Sequence, residues 1–262
     1  MAIKVAINGF GRIGRMVLRA LVESGRKDIH VVAINDLGSI QDNAHMLKYD
    51  SVHGRFPGTI TTSADALDVG SGFIKVFAEP NPEKLPWGSL GVDIVMECSG
   101  HFTDRQAAAK HITAGARRVL ISAPATGADI TVVYGVNHSK ITADHRIISN
   151  GSCTTNCLAP VADVLHQGVG IEAGYMTTIH SYTGDQRLVD TLHKDLHRAR
   201  AAAMSMIPTS TGAAKALGLV LPDLQGKLDG CAIRVPSPNV SLIDFTFTSS
   251  RRTTAEEINK FI

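Results

Sequence analysis

Residues 149–158 read SNGSCTTNCL, with Cys153 between two hydroxyl side chains, Ser152 and Thr154, and Cys157 one helical turn further on. A cysteine in such a place can be a nucleophile, a metal ligand, half of a disulfide or a small packing residue. C-x-x-x-C without a second cysteine pair is not zinc spacing, so no metal is expected. A disulfide within one helical turn would be strained. Ser152 followed by an apolar-periodic stretch predicts a helix capped at Ser152, its buried stripe formed by Cys157, Val161 and Val164/Leu165, with a kink or restart at Pro160. Cys153 then falls in the first turn, where unpaired N–H groups and the helix dipole favour a thiolate. A thiolate also wants a base, and His180, which follows the apolar run MTTI, is the candidate. The residues alone leave Cys153 open between nucleophile and packing residue. Cys157, Cys98 and Cys231 read as buried small hydrophobes.

Further hydroxyl and arginine side chains suit an anionic ligand: Ser152, Thr154, Thr183, Arg198, Thr211 with Gly212, and Arg234. Arginine, threonine hydroxyls and backbone N–H groups are what recognition of phosphate esters requires. Each also has a plain reading. Arg198 could lie on a solvated helix face, Thr211-Gly212 could be a turn and cap after Pro208, and Arg234 an exposed strand position.

At the other end, IKVAI is followed at once by NGFGRIGR, so Gly9, Gly11 and Gly14 satisfy G-x-G-x-x-G between a strand and a helix. Those glycines permit a tight turn, backbone approach to a pyrophosphate and close helix–strand packing, while the helix start supplies free N–H groups. Asp36 ends the next apolar strand about 20 residues beyond the last glycine, where a carboxylate accepts from an adenosine ribose. An acid there should repel a 2′-phosphate, which favours NAD over NADP. The plain alternative is a helix cap or solvated loop residue.

The elements that must position these residues change character along the chain. IKVAI (3–7), HVVAIN (30–35), VDIVME (92–97) and VLIS (119–122) are continuous apolar runs, with helical patterns at 12–24 and 104–114. Such runs predict an α/β fold, a Rossmann-type parallel sheet covered on both faces, over residues 1–150. Residues 151–262 carry longer strands at 175–182, 230–235 and 239–248, the last partly alternating. They predict an α+β domain on a mixed or antiparallel sheet. Thr254 and Glu257 form a capping box before a short apolar stripe at Ile258, Phe261 and Ile262.

The chain has 262 residues, 44% hydrophobic and 19% charged, and a net charge of +2. Two globular domains fit that length, and no basic run advertises a nucleic-acid or membrane surface. No window approaches the roughly 18 apolar residues of a membrane span. The start lacks the features of a secretory leader. Four scattered cysteines are not a disulfide framework, so a reducing, cytoplasmic setting is expected.

In order, INGFGRIGR, AINDL, SNGSCTTNCLAP, TTIHSYTGDQR, KDLHRARAAAMSMIPTSTGAAKA and RVPSPNVS resemble the phosphorylating glyceraldehyde-3-phosphate dehydrogenases, from residue 3 to about 248. The resemblance implies that Cys153 attacks the aldehyde of glyceraldehyde 3-phosphate, that His180 moves the proton as hydride leaves for NAD, and that inorganic phosphate releases the thioester. Thr183 and Arg234 would hold the substrate's phosphate. Ser152, Thr154, Thr211 and Gly212 would hold the attacking one, with Arg198 bridging toward it. Arg12 and Ile13 would lie at the pyrophosphate, Asp36 at the ribose and Ser122 near the nicotinamide. The resemblance also implies a homotetramer, with the loop at roughly 183–206 near a neighbour's cofactor.

There are departures. Gly151 stands where the family more usually has alanine, which is expected to loosen the turn, and Pro80 where it often has an arginine near the adenine. Against the family the chain also lacks a C-terminal segment, so a fragment is expected. Two alternatives stay open: the related erythrose-4-phosphate dehydrogenase, and an inactive, shortened NAD-binding or interaction protein. Tyr182-Thr183-Gly184 and the full PTSTGAAKA stretch favour the glyceraldehyde enzyme.

Overall fold

The computed structural model describes residues 2–262, which form two compact units. The first runs up to Thr131 and takes in Ile141–Asn150; the second comprises Val132–Lys140 and Gly151–Ile262. The stretch 132–140 therefore packs with the later residues, Val133 lying in their core.

The first unit begins β1 (Ile3–Asn8), α1 (Arg12–Glu23), β2 (Ile29–Asn35) and α2 (Ile40–Lys48). Short strands follow, β3 (Tyr49–Asp50), β4 (Gly54–Arg55), β5 (Thr61–Thr62) and β6 (Ala66–Asp68), then β7 (Phe73–Phe77) and α3 (Trp87–Leu90). It closes with β8 (Ile94–Glu97), α4 (Arg105–Thr113), β9 (Arg118–Ile121), β10 (Ile130–Thr131) and β11 (Ile147–Ser149). One nine-stranded sheet has the order β10-β11-β9-β8-β1-β2-β7-β6-β5. Every neighbouring pair from β10 to β7 is parallel, and only the β7-β6-β5 edge is antiparallel. Val5 to Asn8 are all buried because both faces of β1 are covered, which is why the run is apolar rather than alternating. The chain builds outward from β1 through β2 to β7, then restarts beside it at β8. The crevice at the C-terminal ends of β1 and β8 is thus the topological switch point, where open parallel sheets bind ligands.

A buried polar network fixes those strand ends. Glu97 closes β8 and is 1% exposed. Its carboxylate accepts from Asn8 Nδ2 at 2.6 Å and from the Ser99 backbone N–H at 2.8 Å, and lies 2.9 Å from His111 Nε2. The Trp87 indole donates to His111 Nδ1 at 3.0 Å. An indole can only donate, so Nδ1 is bare and Nε2 carries the proton given to Glu97. Asn35, at the end of β2, donates to Asn8 Oδ1 at 2.7 Å. With each partner satisfied, the network is rigid rather than costly.

The second unit contains α5 (Cys153–Val169), β12 (Ile171–Ser181), β13 (Ile207–Ser210), α6 (Ala213–Ala216), β14 (Leu228–Val235), β15 (Leu242–Ser249) and α7 (Ala255–Phe261). Its sheet, in the order β13-β14-β12-β15, is mixed: β14 runs parallel to β12, while β13 and β15 run antiparallel to their neighbours. β12 starts four residues before Tyr175, directly after Gly170, whose φ of 71° turns the chain out of α5. α5 continues through Pro160 without a restart.

The stripe α5 buries is Thr154, Thr155, Leu158, Ala159, Ala162, Leu165 and Val169; of the expected Cys157, Val161 and Val164/Leu165, Leu165 alone belongs to it. Leu158 and Leu165 outweigh the smaller valines as core residues, which turns Cys157 out to an exposed position. α7 is capped by Thr254, which accepts from the Glu257 N–H at 3.2 Å. The Glu257 carboxylate does not complete the box; it pairs instead with Arg251 at 2.6 Å. Ile258 packs on the core.

Candidate active site

Two groups of residues stand out, one in each unit. In the first, the placing is done by backbone. Gly9 has φ of 88°, and a Cβ there would come 2.5 Å from the Ser99 backbone. A Cβ on Gly14 would come 2.2 Å from the Gly9 carbonyl oxygen, so only glycine lets α1 begin so close to β1. At Gly11, by contrast, a Cβ would meet nothing within 4 Å. α1 starts at Gly11 without a side-chain cap or an acidic residue in its first turn, so its leading N–H groups remain for an anion. The residues present therefore fit a dinucleotide's pyrophosphate.

Asp36 sits one residue past β2 and accepts from the Phe10 N–H at 2.7 Å and the Gly38 N–H at 2.9 Å. It is not the cap of α2, a role taken by Ser39. Ile13 is half exposed in the first turn of α1. The Arg12 guanidinium turns away to Asp50 at 2.6 Å, so of Arg12 the backbone is what faces the glycine turn. Ser122 follows β9, and its hydroxyl meets Cys98 at the end of β8. Burial pushes the Cys98 thiol up to about 11, which keeps it protonated and unreactive.

In the second unit, side chains from separate elements converge. Ser152 caps α5 by accepting from the Thr155 N–H at 3.0 Å, which places Cys153 in the first turn. The residue before it, Gly151, has φ of 65°. That conformation suits glycine and strains alanine, so the glycine relieves this turn rather than loosening it. Cys153 is an exposed residue, and its Sγ lies 3.2 Å from His180 Nε2.

His180 is buried near the end of β12, its Nδ1 2.6 Å from the Ser181 carbonyl oxygen. Nδ1 lies between that carbonyl and Arg234 Nη1, 3.0 Å away, while Nε2 faces the sulfur and is the nitrogen that exchanges a proton with it. Arg234 is the register partner of His180 on β14 and gives its own proton to the same carbonyl at 2.8 Å. The His180 contact holds the Cys153 thiol below its ordinary value against the opposing effect of burial, with the Thr154 hydroxyl and N–H helping. Reciprocally, the Cys153 contact raises His180, although burial and Arg234 oppose it. Both shifts point the same way, to a thiolate–imidazolium pair.

The anion-binding candidates gather around this pair. Arg234 Nη1 donates to the Thr183 hydroxyl at 3.1 Å. Arg198 Nε donates to the Thr209 hydroxyl at 3.1 Å, so β13 anchors it. The Thr155 hydroxyl reaches the Ala213 carbonyl at 3.5 Å, which brings the start of α5 beside the Thr211-Gly212 turn. Thr211 spends its oxygen on the Ala213 N–H at 3.2 Å. Asp185 was not singled out from sequence, yet its carboxylate binds both Arg198 and Thr183. Glu97, His111 and Asn8 were missed as well. A signal existed for Asn8, a polar residue inside a buried strand directly before the glycines.

Residues 3–105 match the family model described as glyceraldehyde 3-phosphate dehydrogenase, NAD binding domain, and residues 152–262 match the C-terminal domain of the same enzyme. The chain is 68% identical over its full length to glyceraldehyde-3-phosphate dehydrogenase of Xanthobacter flavus, of which it covers 78%. It is 66% identical to the Cereibacter sphaeroides protein of that name, again covering 78%. Over 99% of its length it is 58% identical to the Geobacillus stearothermophilus protein, covering 77%.

Proposed function

The chain belongs to the glyceraldehyde-3-phosphate dehydrogenase family, and from that membership we propose that it oxidises glyceraldehyde 3-phosphate with NAD and passes the acyl group to inorganic phosphate. The observation that carries the chemistry is the 3.2 Å approach of Cys153 Sγ to His180 Nε2, with both groups shifted toward the ionised pair. The Cys153 thiolate attacks the aldehyde carbon, and the His180 imidazolium gives its Nε2 proton to the resulting alkoxide. His180 then takes that proton back as hydride leaves the carbon, and Cys153 is left as a thioester. NAD, held by the first unit, supplies the hydride acceptor. Phosphate adds to the thioester carbonyl and the sulfur departs as thiolate, restoring the pair, while the phosphate's proton passes to solvent. A thioester keeps the oxidation energy for this second transfer, which is why sulfur rather than oxygen suits the nucleophile.

Thr183 and Arg234 hold the substrate's phosphate in this reading. Ser152, Thr154, Thr211 and Gly212 hold the attacking one, with Arg198 between. A homotetramer belongs to the same reading. Leu188, Leu192 and Met204 are each more than three-quarters exposed in the segment after β12, a patch that a neighbouring copy would cover. A reducing, cytoplasmic setting would keep Cys153 as the free thiol found here.

The test is NADH formation from glyceraldehyde 3-phosphate with and without inorganic phosphate, with erythrose 4-phosphate run in parallel. Phosphate-dependent turnover on the first sugar is expected. A chain that binds NAD yet reduces none with either sugar would overturn the reading.

A further inference from the structure

The roles above leave Asp185 without a function, yet its carboxylate sits where an anion is wanted. One oxygen accepts from Arg198 Nη1 at 2.8 Å, and the other accepts from the Thr183 hydroxyl. Thr183 is assigned to the substrate's phosphate and Arg198 to the attacking one, so a single carboxylate ties up a donor from each position. Two further Arg198 N–H groups go to its own unit: Nε donates to the Thr209 hydroxyl, and Nη2 approaches the Ser210 carbonyl at 3.4 Å. A second carboxylate, Asp195, lies 3.6 Å from Nε but is committed to the Thr209 hydroxyl at 2.6 Å. The Nη1 hydrogen bond is the Arg198 donation that Asp185 withholds from a ligand. Burial works against the Asp185 charge, but Thr183 and then the Arg198 and Arg234 guanidiniums outweigh it and hold the carboxyl below its ordinary range.

A carboxylate and a phosphate ask for the same donors, and charge-assisted bonds of this kind are the strong ones. We propose that Asp185 is a built-in competitor for phosphate, occupying Thr183 and Arg198 until a phosphate group displaces it and so setting how tightly the site binds. The inference rests on the assignment of Thr183 and Arg198 to phosphate recognition. The Asp185 side chain is 42% exposed, so once displaced it can reach water without crossing the protein. A phosphate dianion brings more charge than the carboxylate it replaces, whereas a monovalent anion gains little over Asp185. The residue thereby sets both affinity and selectivity for phosphate.

Calorimetric titration of inorganic phosphate into the NAD-loaded chain tests this without turnover. Asp185→Asn and Asp185→Ala should each bind phosphate about tenfold tighter, the effect of removing one like charge from contact distance. Asp185→Glu, which keeps the charge, should stay near the parent affinity. Asp190→Asn removes a charge that pairs with exposed Arg200 on the same segment, and should leave the affinity unchanged. Unchanged or weaker binding in both neutral variants would overturn the proposal, because the carboxylate would then be orienting Arg198 rather than competing. Oxidation of glyceraldehyde 3-phosphate by the parent chain, measured alongside, keeps the two readings apart. Tighter phosphate binding without turnover sinks the reaction and not the competitor; turnover with no tightening sinks the competitor alone.

Discussion

The two units build their sites by different means. In the first, the surfaces for a ligand are backbone: the N–H groups at the start of α1, and strand ends brought within reach by Gly9 and Gly14. The side chains that matter there are buried and fully partnered, as Glu97 is with Asn8, Ser99 and His111. In the second, the chemistry is carried by side chains from a helix start, two neighbouring strands and a loop, and Cys153 is exposed. A backbone-built site tolerates little change in volume, whereas a side-chain-built site tolerates changes of shape and is sensitive to a single functional atom.

Substitutions can break that contrast, beginning with the largest effect. Cys153→Ser should lower NADH formation by about 10⁴-fold or more while NAD affinity by calorimetry is unchanged. Retained turnover would mean that the sulfur is a packing group. His180→Asn should cost about 10²- to 10⁴-fold, the usual contribution of one positioned acid–base group. Since His180 holds the Cys153 thiol low, its loss should also move the rise of thiol alkylation with pH to higher pH. The parent thiolate is present above its lowered value and is lost as pH falls through it; in the variant that loss should come earlier on descent. An alkylation profile that does not move would separate the two residues.

In the first unit the expected failure is of a different kind. Gly14→Ala must push α1 off the Gly9 carbonyl, an overpacking worth about 1–3 kcal/mol. Trp87, the one tryptophan of the chain, lies in that unit, so its fluorescence during urea unfolding reads the loss directly. Asp36→Asn gives up one of the two backbone N–H bonds that the carboxylate accepts, at about 1–3 kcal/mol, and should relax the preference for NAD over NADP by about tenfold, as expected when one like charge is removed from a 2′-phosphate. Unchanged selectivity would release Asp36 from the ribose.

Legibility followed the same division. NGFGRIGR could be read because every requirement, turn, close approach and helix start, falls within one contiguous string. The continuous apolar runs gave the parallel sheet for the same reason, since burial on both faces leaves its mark residue by residue. The buried stripe of α5 is legible at Leu165 but not elsewhere, because Cys157, Val161 and Val164 satisfy helical spacing as well as the observed stripe does; the bulk of Leu158 and Leu165 decided between them. β13 went unread, since the proline- and threonine-rich string at 207–210 becomes a strand only by pairing with β14. Asp185 carried no local signal at all: its meaning comes from Arg198, which the loop brings back to it.

By itself, then, the sequence determined the glycine turn and its helix, the helix start that carries Cys153, and the change from a parallel to a mixed sheet, because each rests on interactions between near neighbours in the chain. Tertiary structure alone decided which histidine faces the sulfur, which arginine lies beside that histidine, and which carboxylate fills the space left for an anion. The parallel register of β12 and β14 sets His180 beside Arg234, and register is a property of the folded sheet, fixed by which face is buried rather than by either strand.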